Sequence, residues 1–527
     1  MCSKIGHVSD TIIRFEDGQI LSLSPSQGSI PLISLPSVPA TRHALLVSLT
    51  LCAFAILGYH PNAEDGGIYS AAVQQRLQPS LFPYSHEFVM AHVGHSAFAE
   101  LLVIAARLTH LPTSLLFLAI QLLSLALLLH AAQRVANALY TDPAARQGAA
   151  LLLALACSLP VAGTALYVVD PYCTARSLST PLLLYALERV LTKRYLHAVL
   201  LLVGTAAFHP VMALWGALVL GCLLCLQQPK PVKAVAAFIV LTLVVFAVVF
   251  AFSPKENTLH QASADSRPYW FLLRWQWYEV VGAIAPIALI AAIVRFRPAS
   301  QKHLQLAQVH AIATLLCLLL AFLFARQDSA NMLIARIQPL RTLHLLYVVF
   351  LLLLGGAVGG LFGKKKPLAV ALGLLVAGSL FYSQRTLYPA SDHLELPWRY
   401  PANGWSQAFL WARDHTQQDA LFALDAHYIT HDGEDAQNFR SLSLRSSLPD
   451  YSKDGGVASV SPSLSEQWQR GVRAQLDLDT LSDADRQQRL LPLHVDWIVL
   501  PQSAMTRLVC EYENRQAKVC RLPPLNH

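Results

Sequence analysis

Long apolar runs alternate with short polar loops from residue 43 to residue 383. They do not show the one-sided apolar stripe of a soluble amphipathic helix, and runs of this kind need a lipid solvent. They fall near 43–58, 112–132, 148–167, 177–192, 195–208, 210–226, 234–252, 280–296, 304–325, 341–360 and 367–383. The pattern predicts an α-helical polytopic membrane protein with about eleven transmembrane helices.

Ala91–Leu111 is apolar enough to suggest a further span, but it carries His92, His95, Glu100 and Arg107. Loop charge decides the matter. If the segment does not span, Arg134/Arg146, Lys193/Arg194, Lys230/Lys233, Arg295/Arg297/Lys302 and Lys364/Lys365/Lys366 share one side. That is the positive-inside pattern, and it puts the N-terminus in the cytoplasm. Segments 66–78 and 87–110 are then expected as outward surface helices in the first loop. The short runs 195–208 and 210–226 meet at His209-Pro210, a hairpin whose tip lies below the outer surface. Broken backbone at that depth is tolerated where it lines a cavity.

Beyond about residue 391 the chain turns polar. Ala420–Leu424 and Asp496–Leu500 read as strands and 462–490 as helical, so a small C-terminal α/β extracytoplasmic domain is expected. Cys510 and Cys520 flank a predicted hairpin with its turn near Asn514, and an outside compartment would allow a disulfide between them. The expected division is 1–42 as a cytoplasmic N-terminal segment, 43–390 as the transmembrane domain and 391–527 as the outer domain.

Composition agrees with a membrane class. Of 527 residues, 54% are hydrophobic and 13% charged, against nearer a quarter charged in soluble domains. The net charge of +7 is spread over short loops and suggests no nucleic-acid partner. No cleavable signal peptide opens the chain, so 43–58 reads as a signal anchor. Most of the cysteines sit in or beside spans as small apolar groups.

Chemistry concentrates in the outward loops. The first carries His60-Pro61-Asn62-Ala63-Glu64-Asp65-Gly66-Gly67-Ile68-Tyr69. Acid this close to hydrocarbon is costly and points to function. Glu64 or Asp65 would serve as a base for an acceptor hydroxyl or hold a divalent cation against a phosphate; otherwise Asp65 caps the helix that follows. Asp170 and Arg176 bound the second outward loop, where an Asp-Pro turn with a snorkelling Arg is the plain alternative. Arg336 and Arg341 stand where the charge rule disfavours them and suit a phosphate, or lipid headgroups. His209 occupies the hairpin tip. His92 and His95 share a helix face without a third metal ligand fixed by spacing. The runs Asn438–Arg445 and Lys453-Asp454-Gly455-Gly456 offer basic groups above the membrane, or a solvated face.

Together His60-Pro61 through Tyr69, Leu81-Phe82-Pro83, Asp170 to Arg176, His209-Pro210, Gln338-Pro339-Leu340-Arg341 and Phe439-Arg440 to Arg445 resemble the GT-C superfamily of membrane glycosyltransferases. They are similar in particular to poorly characterised bacterial multi-pass proteins related to it. The resemblance implies transfer of a sugar from a polyprenyl-phosphate donor to an acceptor at the outer face of the bacterial inner membrane. Asp65, with Glu64, would take the base position, and Asp170 would be a second acid. Arg336 and Arg341 would neutralise the leaving phosphate, with His60, Tyr69, Arg176 and His209 contacting substrate. A divalent metal, Mg or Mn, serves some members and not others. The motif here is Glu-Asp where many members have Asp-Asp or Asp-Glu. Two other functions fit the same features: a transporter or flippase of a lipid-linked saccharide, and a non-catalytic membrane assembly protein. No internal repeat of the kind common in transporters is visible.

Overall fold

In the computed structural model, the described residues are 40–296, 300–329, 331–362 and 365–523. The expected N-terminal segment, up to residue 39, and the loop residues Arg297 and Lys364 lie outside them. Contacts divide the chain into residues 1–45, described only from Ala40 at the start of the first helix, and residues 46–527.

The first helix, α1 (Ala40–Leu57), leads into three short helices: α2 (Glu64–Leu77), α3 (His86–Ala91) and α4 (Phe98–Thr109). The expected single helix over 87–110 is thus two, parted by a turn around Gly94 and Ser96. The bundle continues with α5 (Thr113–Leu139), α6 (Pro143–Leu155), α7 (Ala175–Leu191), α8 (Tyr195–Phe208), α9 (Pro210–Leu226) and α10 (Pro231–Phe252). After α11 (Thr258–Asp265) come α12 (Trp277–Phe296), α13 (Gln301–Phe324), α14 (Leu333–Arg336), α15 (Thr342–Phe362) and α16 (Lys366–Leu387).

Each of the predicted apolar runs contains a helix. Among the described residues, six helical stretches are long and apolar enough to cross a membrane by themselves. Their surfaces say what covers them. Along α10, Val240, Leu241 and Phe252 are exposed, and the span buries none of its most apolar window against protein. Apolar belts of that size are not left to water, and the chain is a multi-pass membrane protein. By contrast α15 is packed nearly all round, at the centre of the bundle.

The expected span 148–167 ends early. Helix α6 stops at Leu155, and residues 156–174 run as irregular backbone. Their apolar side chains face protein, with Cys157, Val161 and Leu166 buried, so hydropathy mistook a buried loop for a lipid-facing helix. Glycines seat α6 against α15. A Cβ on Gly148 would lie 2.5 Å from the Gly355 carbonyl and 2.7 Å from Gly359 Cα. Small residues at such a seam let two backbones approach closely in lipid.

The C-terminal domain has a five-stranded sheet in the order β2–β1–β3–β5–β4. The strands are β1 (Leu421–Ala423), β2 (Ser446–Ser447), β3 (Trp497–Pro501), β4 (Cys510–Glu513) and β5 (Ala517–Arg521). Strands β2, β1 and β3 are parallel, and β5 and β4 form an antiparallel hairpin joined by a Cys510–Cys520 disulfide. The domain also holds helices α17 (Gly404–His415), α18 (Phe439–Ser443), α19 (Lys453–Val460), α20 (Ser465–Gln475) and α21 (Asp483–Leu490). The domain meets the first loop directly. Asn438 N–H donates to the Asn62 carbonyl at 3.0 Å, and a Cβ on Gly67 would fall 2.2 Å from Asn438 Cβ.

Candidate active site

Helix α2 begins at Glu64, whose φ of +50° is unusual for a residue with a side chain. Ala63 stands at the cap position and no side chain caps the helix. Asp65 is therefore not a cap, and its carboxylate faces two cations. Arg176 donates from Nη1 and Nη2 to Asp65 Oδ2, at 3.2 Å each. The same guanidinium donates from Nε to Asp170 Oδ2 at 3.0 Å. Lys453 pairs with Glu64, and its Nζ lies 3.8 Å from Asp65 Oδ1.

Local sequence explains this convergence. Thr174 and Ser177 make a capping box that starts α7, so Arg176 leaves its first turn toward α2. Gln121 Nε2 donates to the Asp170 carbonyl at 3.0 Å and holds the loop behind it. Gly66 and Gly67 serve close packing. A Cβ on Gly66 would meet the Pro61 carbonyl at 2.6 Å and Tyr172 Cβ at 2.8 Å.

Burial opposes ionisation of Asp65, but Lys453 and Arg176 outweigh it and hold this carboxyl well below the usual carboxylate range. Burial also works against charge on Lys453, and Glu64 and Asp65 reverse it, so the ammonium is held more firmly than usual. Asp170 shifts the other way: burial raises it despite Arg176. Burial pushes the Tyr69 phenol up to about 12.

Asp65, Tyr69 and Arg176 line a cavity of about 270 Å³, with His92 and His95 beside them and His209 and Arg341 across from them. Val457 and Val460 of α19 form another wall. Arg341 donates from Nε to Gln338 Oε1 at 2.6 Å, and its Nη1 is 3.3 Å from His209 Nε2. Gln338 is held at φ +51°, a second non-glycine residue in the left-handed region at this site. Among the described residues, no carboxylate lies within ion-pair distance of Arg341. Arg336 also lines the cavity, but its Nη2 donates to Glu256 Oε1 at 2.6 Å. The predicted arginine pair is thus one satisfied ion pair and one cation without an anion.

Two predicted contacts lie elsewhere. His60 is fully buried, stacked on Tyr388 at 3.8 Å with Nδ1 3.1 Å from Glu395 Oε2. It ties the first loop to the segment after α16 and is not a cavity residue. Asp170 is buried behind Arg176 and acts on the cavity only through that guanidinium.

The tail basic run is likewise internal. Arg440 grips Asp454 with two 2.8 Å hydrogen bonds, and Arg445 Nη2 donates to the Arg413 and Thr416 carbonyls at 2.5 and 2.7 Å. Lys453 is the residue that reaches the site. Its signal was the following Gly455-Gly456: a Cβ on Gly455 would lie 2.7 Å from Arg267 Nη2, which donates to the Tyr451 carbonyl at 2.9 Å.

The first-loop acids do not suit a divalent metal, because Arg176 and Lys453 already neutralise them. Among the described residues, metal-ligand spacing occurs elsewhere, at Asp425, His431 and Asp479, whose ligand atoms lie within 4.8 Å of one another. Glu64 also borders a second cleft of about 670 Å³, lined with it by Tyr167, Tyr172, Tyr388 and His431.

No family model matches the sequence, and no curated protein matches it. Among solved structures the chain is similar to the archaeal oligosaccharyltransferase AglB from Archaeoglobus fulgidus in complex with an inhibitory peptide and a dolichol-phosphate. The TM-score is 0.45 and the identity 12%, over 88% of this chain and 69% of that one. That similarity is too distant to carry chemistry from one protein to the other.

Proposed function

We propose that the protein is a membrane glycosyltransferase that moves a sugar from a polyprenyl-phosphate donor to an acceptor hydroxyl, at the extracytoplasmic face of a bacterial inner membrane. One observation carries this reading: a single cavity beside the bundle holds an ionised carboxylate, Asp65, and an arginine without a carboxylate partner, Arg341. A lipid phosphate supplies the missing anion, and the planar fork of Arg suits it. The His209 hairpin beside Arg341 gives a donor held by its tail in the bilayer a short path to the cavity.

In the transfer, the bond from the sugar's anomeric carbon to the phosphate oxygen breaks, and the phosphate keeps the electron pair. Arg341 stabilises that charge as it develops. The acceptor oxygen bonds the anomeric carbon from the opposite face, and its proton passes to Asp65. Held ionised by Lys453 and Arg176, Asp65 is a weak base but always in the accepting form. That suits a step in which the bond to phosphate breaks well ahead of proton transfer. Asp170 positions Arg176, and Glu64 holds Lys453 in place. Connectivity puts the basic turns α5–α6, α7–α8, α9–α10, α12–α13 and α15–α16 at the helix ends away from this site, which supports an extracytoplasmic cavity.

The test uses membranes containing the full chain and a radiolabelled polyprenyl-phosphate sugar. Asp65→Asn should abolish transfer and keep the lipid bound, and Arg341→Gln should lose the lipid. Normal transfer in both variants would overturn the reading.

A further inference from the structure

The Asp425–His431–Asp479 group lies at the carboxyl end of β1, where parallel strands leave a crevice for ligands. His431 Nε2 is 3.7 Å from Asp425 Oδ1, and its Nδ1 is 3.8 Å from Asp479 Oδ2 and 3.6 Å from Glu434 Oε2. One imidazole thus stands among three carboxylates, at separations too long for hydrogen bonds. One cation takes a single imidazole nitrogen, and with one ligand atom each from Asp425, His431 and Asp479 the three atoms lie within 4.8 Å of one another, a small adjustment from the roughly 3–3.5 Å between neighbouring ligand atoms on one cation.

Two further facts point the same way. Asp479 Oδ1 is closed off from solvent and has no hydrogen-bond partner, a costly state for a carboxylate oxygen. Asp425 is nearly fully buried and rigidly aimed. Its Oδ1 accepts from His427 N–H at 2.8 Å and its Oδ2 from Leu478 N–H at 2.9 Å, the kind of outer support that fixes a ligand's direction.

We infer that Asp425, His431 and Asp479 form a binding site for one divalent cation of the Mn2+ or Zn2+ type, which clips the 425–437 loop to the turn at Asp479 that follows α20. The mixed imidazole and carboxylate donor set selects such a cation over the all-oxygen preference of Ca2+. The clip matters because of what the loop carries. Gln437 Nε2 donates to both oxygens of Glu395, at 2.7 and 2.6 Å, and Glu395 holds His60. The next residue, Asn438, packs on Gly67. A cation at His431 therefore steadies the contact between the outer domain and the Glu64-Asp65 loop, and it does so whether or not the cavity transfers sugar.

The experiment uses the full chain in detergent, stripped with EDTA and titrated with Mn2+ or Zn2+. One equivalent should bind, and His431→Ala and Asp479→Asn should each weaken binding by about tenfold or more. Hydrogen exchange over 428–438 should slow on metal addition in the wild type alone. Asp479→Asn relieves carboxylate crowding, so it should raise the melting temperature in EDTA and lower it with metal present. Absence of bound metal, or wild-type affinity in both variants, overturns the proposal. A variant more stable in both conditions also overturns it, because the group would then be only a crowded acidic patch. These readouts do not depend on transferase activity, so failure of the clip and failure of the proposed reaction are separable.

Discussion

Arg176 donates to Asp65 Oδ2 from both terminal nitrogens, at 3.2 Å each, across 111 residues of sequence. With Asp170 on its Nε, this guanidinium is the joint between α2 and α7.

Removing it strands a buried acid. Arg176→Gln leaves Asp170 without its partner and should cost about 3–5 kcal/mol of stability, the usual penalty for breaking one side of a buried pair. Adding Asp170→Asn should restore the melting temperature but not transfer, since Asp65 still lacks one of its two cations and the hydrogen bonds that aim it. Thermal unfolding in detergent alongside the transfer assay separates the two effects.

Lys453 should set the acid limit of activity. Asp65 is held below its unfolded value, so its contribution to stability is present above that value, near about pH 4, and is lost as pH falls through the lower folded value. Wild-type transfer should be flat down to about pH 5. In Lys453→Gln the acid limb should move to higher pH. A pH–rate profile with the same limb in both proteins would remove Lys453 from this role.

The two cavity arginines should behave differently. Arg341→Gln should weaken polyprenyl-phosphate binding by about 1.5–3 kcal/mol, the worth of a charge-assisted hydrogen bond, and Arg341→Lys should recover part of it. Arg336→Gln, which breaks the pair with Glu256, should affect thermal stability more than lipid retention. Retention of radiolabelled lipid on the purified protein reads both.

Glycine at 67 should be indispensable where Gly94 is not. An added Cβ at Gly67 meets Asn438 Cβ at 2.2 Å, whereas at Gly94 the nearest atom is 3.6 Å away. Gly67→Ala should destabilise by about 1–3 kcal/mol through overpacking, and Gly94→Ala should be near neutral. Melting temperatures of the two variants check this.

The hairpin at 510–520 should be covalently closed in mature protein. Reduction should lower the stability of the C-terminal domain by about 2–4 kcal/mol. Alkylation and mass spectrometry that find both thiols free would contradict it.

Hydropathy placed the helices well because lipid exposure writes itself into composition along α10 and α16. It failed at 156–167, where Cys157 and Val161 are apolar because protein covers them. Composition does not distinguish those two kinds of burial. The lining of the candidate cavity was legible where one residue type is costly at its depth, as with Asp65, Arg176 and Arg341. It was illegible where partners meet across the chain. Nothing near His60 announces Glu395, and nothing near Glu64 announces Lys453. The glycines of the first loop and of 455–456 were visible as a pattern, but their reason is the shape of distant neighbours.

The glycine seam between α6 and α15 has a consequence for how the chain is made. Helix α6 has 13 residues, about 20 Å of helix, against a hydrocarbon layer about 30 Å thick. By itself it is too short to cross that layer without thinning it. Its berth is the glycine face of α15, which is synthesised much later. The α6–α15 seam therefore closes only after Gly355 has been made, and a nascent chain cut off before it lacks the face on which α6 is seated.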